Sequence, residues 1–439
     1  MADAMPAMAH EGDDLRRKQR EYLFPNLATL YEEPLVIVRG EGKYVWDDQG
    51  RQYLDAFGGI LTVSLGHCHP EVTERVARQL RTLQHVSTLY VTEPQVRLAE
   101  RLAGLAPGAL KRSFFTNSGT EANETALVVA RAHTGCDDVI VLRHSYHGRS
   151  MLTMTLGGTH GYRAATPVPG VHHLASPYCY RCPFGLTYPS CDLRCAKDVE
   201  ELIQTATSGR VAAFVAEPIQ GVGGFITPPP EYFKEVVSIV RRYGGLFVCD
   251  EVQTGWGRTG TYLWGIQHWG VEPDIMTSAK GMANGLPIGW TITTDDIAQS
   301  FRHSTISTFG GNPVSATAAL AVIDVILEEG LADNAARVGR FLMDGLKALQ
   351  EKYPCMGDVR GMGLMIGVEL VHGGKRPAPD LLNRWLEATR KRGLLIGKGG
   401  LHGNVARIAP HLNVTRSDAE IMLRIMDEAM AEVQPYMEV

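Results

Sequence analysis

The chain reads as an α/β protein, a large domain with a mostly parallel central sheet plus a smaller α+β domain. Three observations predict this. Between residue 113 and about residue 300, short apolar runs alternate with helical patterns, the texture of parallel strands covered on both faces. Three of those runs end at or just before a charged side chain, Glu217, Asp250 or Lys280, and open parallel sheets place ligands at that carboxyl edge. From about residue 330 the texture changes to helices interleaved with shorter strands. The division expected is an N-terminal arm and strands over 1–60, a large domain over 61–328 and a small domain over 329–439. Residues 35–60 are expected to join the small domain.

The elements follow in order. Residues 1 to about 20 are polar and read as a loose or helical arm. From Leu35 to Trp46 apolar residues alternate, and Asp48-Gln-Gly50 is the turn of a hairpin. Phe57-Gly58-Gly59 is a glycine-rich approach that leads into Gly66-His67-Cys68-His69-Pro70. The paired histidines have no partner at ligand spacing beyond Cys68, so they read as a structural loop rather than a metal site. Pro70 opens an amphipathic helix with Val72, Val76, Leu80 and Leu83 on one side. Ser118 and Glu121 form an S-x-x-E capping box, so a helix starts there and runs through Ala126, Val129 and Ala130. Strands follow near Val139 and Val211–Val215, then a helix over Glu231–Tyr243 with Phe233, Val236, Val237 and Val240 inward. Pro313 starts a long apolar helix. Beyond it come helices over 332–352, 380–392 and 416–434, with strands over 363–371 and around 394 and 407.

Bulk properties remove several classes of function. The chain has 439 residues, 44% of them apolar and 21% charged, as in ordinary globular proteins. A net charge of -5 with dispersed basic residues argues against a nucleic-acid surface. No apolar run is long enough to cross a bilayer, so no membrane partner is expected. The N-terminus lacks the basic start and apolar core of a secretory signal, and a cytoplasmic protein is the plain reading. Eight cysteines in a chain of this length do not make a disulfide scaffold.

The chemistry gathers at the sheet edge. Lys280 ends a short buried run, where poor solvation disfavours its ammonium form and frees its amine as a nucleophile. Asp250 ends another buried run. Gly119 and Thr120 sit behind Ser118 at a helix N-terminus, where backbone amides and the dipole favour a phosphate. Tyr146, with His147 beside it, can lie flat on a planar ring, although packed tyrosines are commoner. A buried amine, a buried carboxylate and an anion-binding turn suit an aldehyde, a pyridine nitrogen and a phosphate. One cofactor has all three: pyridoxal 5'-phosphate.

The motifs SGTEAN, YHGR, AEPIQG, DEVQTGWGRTG, SAKG and TFGGNP occur in this order. Together they resemble the class III (omega) aminotransferases, fold-type-I pyridoxal-phosphate enzymes, from about Leu35 to the end. By that resemblance Lys280 carries the cofactor and moves the proton during catalysis. Asp250 pairs with the pyridine nitrogen, Gln253 bonds the ring hydroxyl, and Ser118, Gly119 and Thr120 hold the phosphate. Tyr146 stacks on the ring. Thr308 matches a threonine that reaches the phosphate of the neighbouring subunit, which implies a homodimer or homotetramer with shared sites. Arg407 resembles the arginine that grips a substrate carboxylate through a bidentate fork, and Glu217 the glutamate that pairs with it when no carboxylate is present. Phe57 is placed with them against the substrate.

The resemblance implies ping-pong transfer of an amino group from an amino acid or omega-amine, such as alanine, beta-alanine or 4-aminobutyrate, to pyruvate or glyoxylate. A decarboxylase or aminomutase on the same fold would keep Lys280, Asp250 and the phosphate loops, and a more distant alternative, a non-catalytic cofactor-binding regulator, would be expected to carry a DNA-binding module. Cys179, Cys182, Cys191 and Cys195, in a stretch resembling the alanine–glyoxylate aminotransferase 2 branch, have the spacing of a zinc or disulfide site without a catalytic role.

Overall fold

The computed structural model of the chain describes residues 9–163 and 166–438. The expected arm is a helix, Ala9–Tyr22, and the residues before it lie outside the described ones. The organising element is a seven-stranded sheet. Its spatial order is Arg112–Thr116, Gly289–Thr293, Ile275–Ser278, Leu246–Asp250, Ala213–Ala216, Val139–Leu142 and Val171–Leu174. Gly289–Thr293 runs antiparallel to both of its neighbours, and the other pairings are parallel. Four successive central strands are buried at every position or nearly so, because helices cover both faces.

Helix Gly119–Thr134 packs against the strands Gly289–Thr293 and Ile275–Ser278, while helix Tyr232–Arg242 covers Leu246–Asp250. Phe233, Val236, Val237 and Val240 of the latter all face inward. Phe214 and Phe247 stack on neighbouring strands, with ring centroids 5.9 Å apart. Near the lysine end of the sheet three indoles cluster, with Trp264 at 4.8 Å from Trp256 and 5.6 Å from Trp290. Trp256 donates its Nε1–H to the Ser278 hydroxyl at 2.9 Å, so the end of that strand is pinned from the side.

Two smaller sheets complete the fold. Ile37–Glu41, Tyr44–Asp47 and Gln52–Asp55 form an antiparallel meander, and Leu394–Leu395 adds to it in parallel. Chain segments more than 300 residues apart in sequence therefore share one sheet. The other sheet places Met356–Met362, Met365–His372, Val405–Ile408 and Gly397–Gly399 side by side, all antiparallel.

Several local expectations change. In helix Pro70–Thr82, Val72 is buried and Val76 half-buried, but Leu80 is exposed, and so is Leu83, which lies just past the helix in an extended conformation. The Ser118 hydroxyl accepts from the Glu121 N–H at 3.3 Å, as a cap should. The Glu121 carboxylate, however, accepts from the Asn117 N–H at 2.6 Å rather than from Ser118, which leaves the reciprocal box half made. The strand Met356–Met362 and the helices Glu93–Leu105 and Arg194–Ala206 were not anticipated.

Candidate active site

Topology delivers the key side chains to one edge. Asp250 closes its strand, Glu217 follows Ala213–Ala216 directly, and Lys280 lies two residues beyond Ile275–Ser278. All three line a cavity of about 200 Å³, together with Gly119, Thr120, Tyr146, His147 and Gln253. Lys280 sits at φ 40°, a left-handed conformation that ordinary side chains avoid. Burial, and then the charge of Arg407, brings its ammonium down to about 8. Among the described residues it has no ion-pair partner; Asp250 and Glu217 act on it through charge alone.

Asp250 is held on both oxygens. Oδ1 accepts the Val252 N–H at 3.0 Å, and Oδ2 accepts Nδ1 of His147 at 2.7 Å and Nδ2 of Asn123 at 2.8 Å. Burial opposes protonation of His147, but its bond to Asp250 and the charge of that carboxylate raise it above the ordinary histidine value. Asn123 also donates to the His147 carbonyl at 2.9 Å and accepts from the Thr277 hydroxyl at 2.7 Å. Sequence reasoning missed Asn123 and Thr277. A signal existed for Asn123, which lies one helical turn after Gly119 and so on the same face as the cavity-lining amides.

A second polar group lies beside the first. Glu217 is buried and accepts the backbone N–H of Tyr146 at 3.0 Å and of Gly221 at 2.7 Å. Burial lifts its carboxyl to about 7, and the charge of Asp250 adds to the effect. Arg407 is buried between two rings, its guanidinium carbon 5.1 Å from the Phe57 centroid and 4.7 Å from that of Phe225. Its Nη2 donates to the side-chain Oε1 of Gln253 at 2.6 Å, and its Nε has no partner among the described residues. Burial lowers it to about 10. Glu217 and Arg407 are not an ion pair here; each bonds elsewhere, and Glu217 reaches Arg407 only by charge. A Cβ at Gly221 would sit 2.4 Å from the Gln253 side chain, so that glycine lets the two segments meet.

At the mouth, Ser118 caps the helix that presents Gly119 and Thr120. Gly148 has φ 139°, and a Cβ there would come within 2.6 Å of the Thr120 hydroxyl, which only glycine avoids. Tyr146 is half-buried and meets Tyr162 edge-on at 5.3 Å. Thr308 is exposed and does not line the cavity of its own chain. Cys179, Cys182, Cys191 and Cys195 line a separate small cavity as free thiols. Among the described residues no three of their sulfurs come within 4.8 Å of one another.

These residues fit pyridoxal phosphate. A lysine with a depressed ammonium, a doubly anchored buried carboxylate and the first residues of a helix line one cavity. Fold and site together define a fold-type-I pyridoxal-phosphate enzyme. The aminotransferase class-III family profile matches residues 28–430, and the chain belongs to that family of amino-group transferases. It is 45% identical to alanine–glyoxylate aminotransferase 2 homolog 2, mitochondrial, of Arabidopsis thaliana, over 98% of this chain and 89% of that protein. It is 38% identical to the mitochondrial human alanine–glyoxylate aminotransferase 2, over 94% of this chain and 85% of that one. Among solved structures, an amine transaminase from an uncultivated Pseudomonas species, with pyridoxal phosphate bound, has 34% identity and a TM-score of 0.88. The match covers 94% of this chain and 99% of that one.

Proposed function

We propose that the enzyme takes an amino group from alanine or an omega-amino acid and gives it to a small 2-oxo acid, glyoxylate or pyruvate. The observation that carries this reading is Arg407, a buried guanidinium that among the described residues has no carboxylate partner and no partner for its Nε. A buried charge of this kind needs an anion. The substrate carboxylate supplies it through a two-pronged bond. Phe57 and Phe225 fix the guanidinium plane and keep the pocket small.

The bound cofactor supplies an aldehyde for the amine and a ring that accepts the electron pair left on the substrate carbon. Asp250 keeps a positive charge stable at the ring nitrogen, and His147, Asn123 and Val252 hold that carboxylate in line. With the cofactor bound, the Lys280 amine would be the base that takes the proton from the substrate carbon and delivers it to the cofactor's aldehyde carbon. Gly119 and Thr120 offer amide N–H groups to the phosphate, Ser118 sets their direction and Tyr146 covers the ring. Gln253, within the same cavity, bonds both the ring hydroxyl and Arg407. Glu217, lifted to about 7, accepts or releases a proton as the arginine alternates between substrates with and without a carboxylate at that point.

The active unit is a homodimer or a pair of homodimers, in which Thr308 serves the phosphate of the neighbouring subunit. Support comes from an apolar surface. Leu89, Tyr90 and Val91 are 73%, 66% and 88% exposed, and His85 lies 5.2 Å from the ring of Phe309, itself 61% exposed. The large domain over 61–328 and the small domain over 329–439, joined by the strands up to residue 60, then meet at Arg407. Among the described residues no helix is long and apolar enough to cross a membrane. We infer a cytoplasmic compartment, in contrast to the plant and human relatives named as mitochondrial, and cell fractionation tests it.

The test is a half-reaction. Yellow enzyme is mixed with alanine, beta-alanine, 3-aminoisobutyrate or 4-aminobutyrate without an acceptor, and its absorbance is followed. We expect bleaching of the long-wavelength band by at least one of them, reversed by glyoxylate or pyruvate. Release of carbon dioxide, or a band that no amine bleaches, would sink the transamination reading.

A further inference from the structure

We propose that Asp55, His67 and His411 form a site for a divalent metal of the zinc class, on chain segments that also carry Phe57 and Arg407. One ligand atom from each residue lies within 4.8 Å of the other two. The three come from the end of strand Gln52–Asp55, the loop before helix Pro70–Thr82 and the segment after strand Val405–Ile408. No short motif brings them together.

The donors are already aimed. Asp55 accepts the Phe57 and Gly58 N–H groups on Oδ1, both at 2.9 Å, which leaves Oδ2 turned to Nε2 of His67 at 2.9 Å. His411 is fully buried and donates Nδ1–H to the Val63 carbonyl at 2.5 Å. That bond sets the tautomer with the lone pair on Nε2, and a backbone carbonyl on the far nitrogen is the usual outer partner of a metal-bound histidine. Nε2 of His411 has no partner among the described residues. A plain Asp–His hydrogen bond explains Asp55 and His67, but it leaves this buried acceptor unused. Two imidazoles and one carboxylate suit zinc and its first-row neighbours better than calcium or magnesium. The His67 side chain is 21% exposed, so water can complete the shell and an ion can enter.

The site would act as a staple. Ala409 donates to the Ala56 carbonyl at 2.8 Å, so the two ligand-bearing segments already run together. Phe57 lies two residues from Asp55, and Arg407 four before His411. Metal binding would fix both walls of the substrate grip; this consequence, unlike occupancy, rests on the proposed role of Arg407.

The experiment strips the holoenzyme with a chelator, dialyses it and titrates it with zinc chloride against a chromophoric indicator. We expect one site per chain that survives Cys182→Ser and Cys191→Ser and weakens by about 100-fold or more in His411→Leu and His67→Gln. Zinc should raise the melting temperature of the parent enzyme and not that of His411→Leu. The X-ray absorption edge of the zinc-loaded parent enzyme, which needs no variant to fold, should show nitrogen and oxygen ligands at about 2.0–2.1 Å. Sulfur at about 2.3 Å would move the metal to the cysteine loop and overturn the proposal. So would a parent enzyme that binds no zinc at micromolar concentration, or one whose affinity is the same in His411→Leu.

Discussion

Lys280 illustrates how the site prepares a residue before any substrate arrives. Its backbone lies in the left-handed region, and its ammonium is brought down to about 8 by burial and by Arg407. We expect Lys280→Ala to lose turnover altogether while still binding cofactor, as read by dialysis and absorbance. Asp250→Asn should lose about 10²–10⁴ in turnover, on the scale of a removed acid–base or electrostatic partner; near-normal turnover in either would overturn the roles. Asn123→Ala takes one of three hydrogen bonds from Asp250 and leaves Thr277 unpaired. It should cost about 1–3 kcal/mol of stability and weaken cofactor binding, and a double-mutant cycle with Thr277→Val should show coupling. For Glu217 the sign is set by burial. Its folded value, about 7, lies above the ordinary 4.5, so the folded chain holds an extra proton between these limits. Its contribution is full at low pH and is lost as pH rises through about 7. Urea unfolding from pH 5 to 8 should show a shallower fall for Glu217→Gln. The fall should not vanish, because Glu251 is also lifted to about 7 by burial.

At the scale of elements, the helix Gly119–Thr134 couples stability to binding through one hydroxyl. Ser118→Ala should cost about 1 kcal/mol as a lost cap. If the amides of Gly119 and Thr120 hold the phosphate, it should also weaken cofactor retention, and a stability loss without weaker retention would place the phosphate elsewhere. The central strands of the large sheet were legible because burial on both faces demands apolar runs, whereas the strands Arg112–Thr116 and Val171–Leu174, RSFFT and VHHL, carry polar residues and were not. The helix Tyr232–Arg242 was legible down to its inward residues. Met356–Met362 was not, since its MGDVRGM sequence has charges and glycines where a pattern would alternate. Leu80 and Leu83 were misplaced because an apolar helix face looks the same whether its own chain or another molecule covers it.

Across the whole molecule, shared sites make a direct prediction. Lys280→Ala and Thr308→Ala chains, each inactive or weak alone, should regain activity when mixed and allowed to exchange. One of the two sites in a mixed dimer then holds an intact lysine with an intact threonine from the other chain. Mixtures no better than the weaker parent would show that each chain completes its own site. Sedimentation over a dilution series should show a dimer that dissociates more readily when Val91 and Phe309 are changed to Asp.

The sequence by itself determined the sheet, the family and the group of residues at the strand ends. Hydrophobic period and side-chain type are local, and the carboxyl edge of a parallel sheet is a consequence of topology. Tertiary structure alone decided which partners these side chains chose. It turned Glu217 toward two backbone amides, gave Arg407 to Gln253 between two aromatic rings, and set Asn123 on Asp250. It also brought Asp55 and His67 to His411, across more than 300 residues of chain. Such contacts depend on three-dimensional distance and desolvation, and neither is encoded in the spacing of a motif.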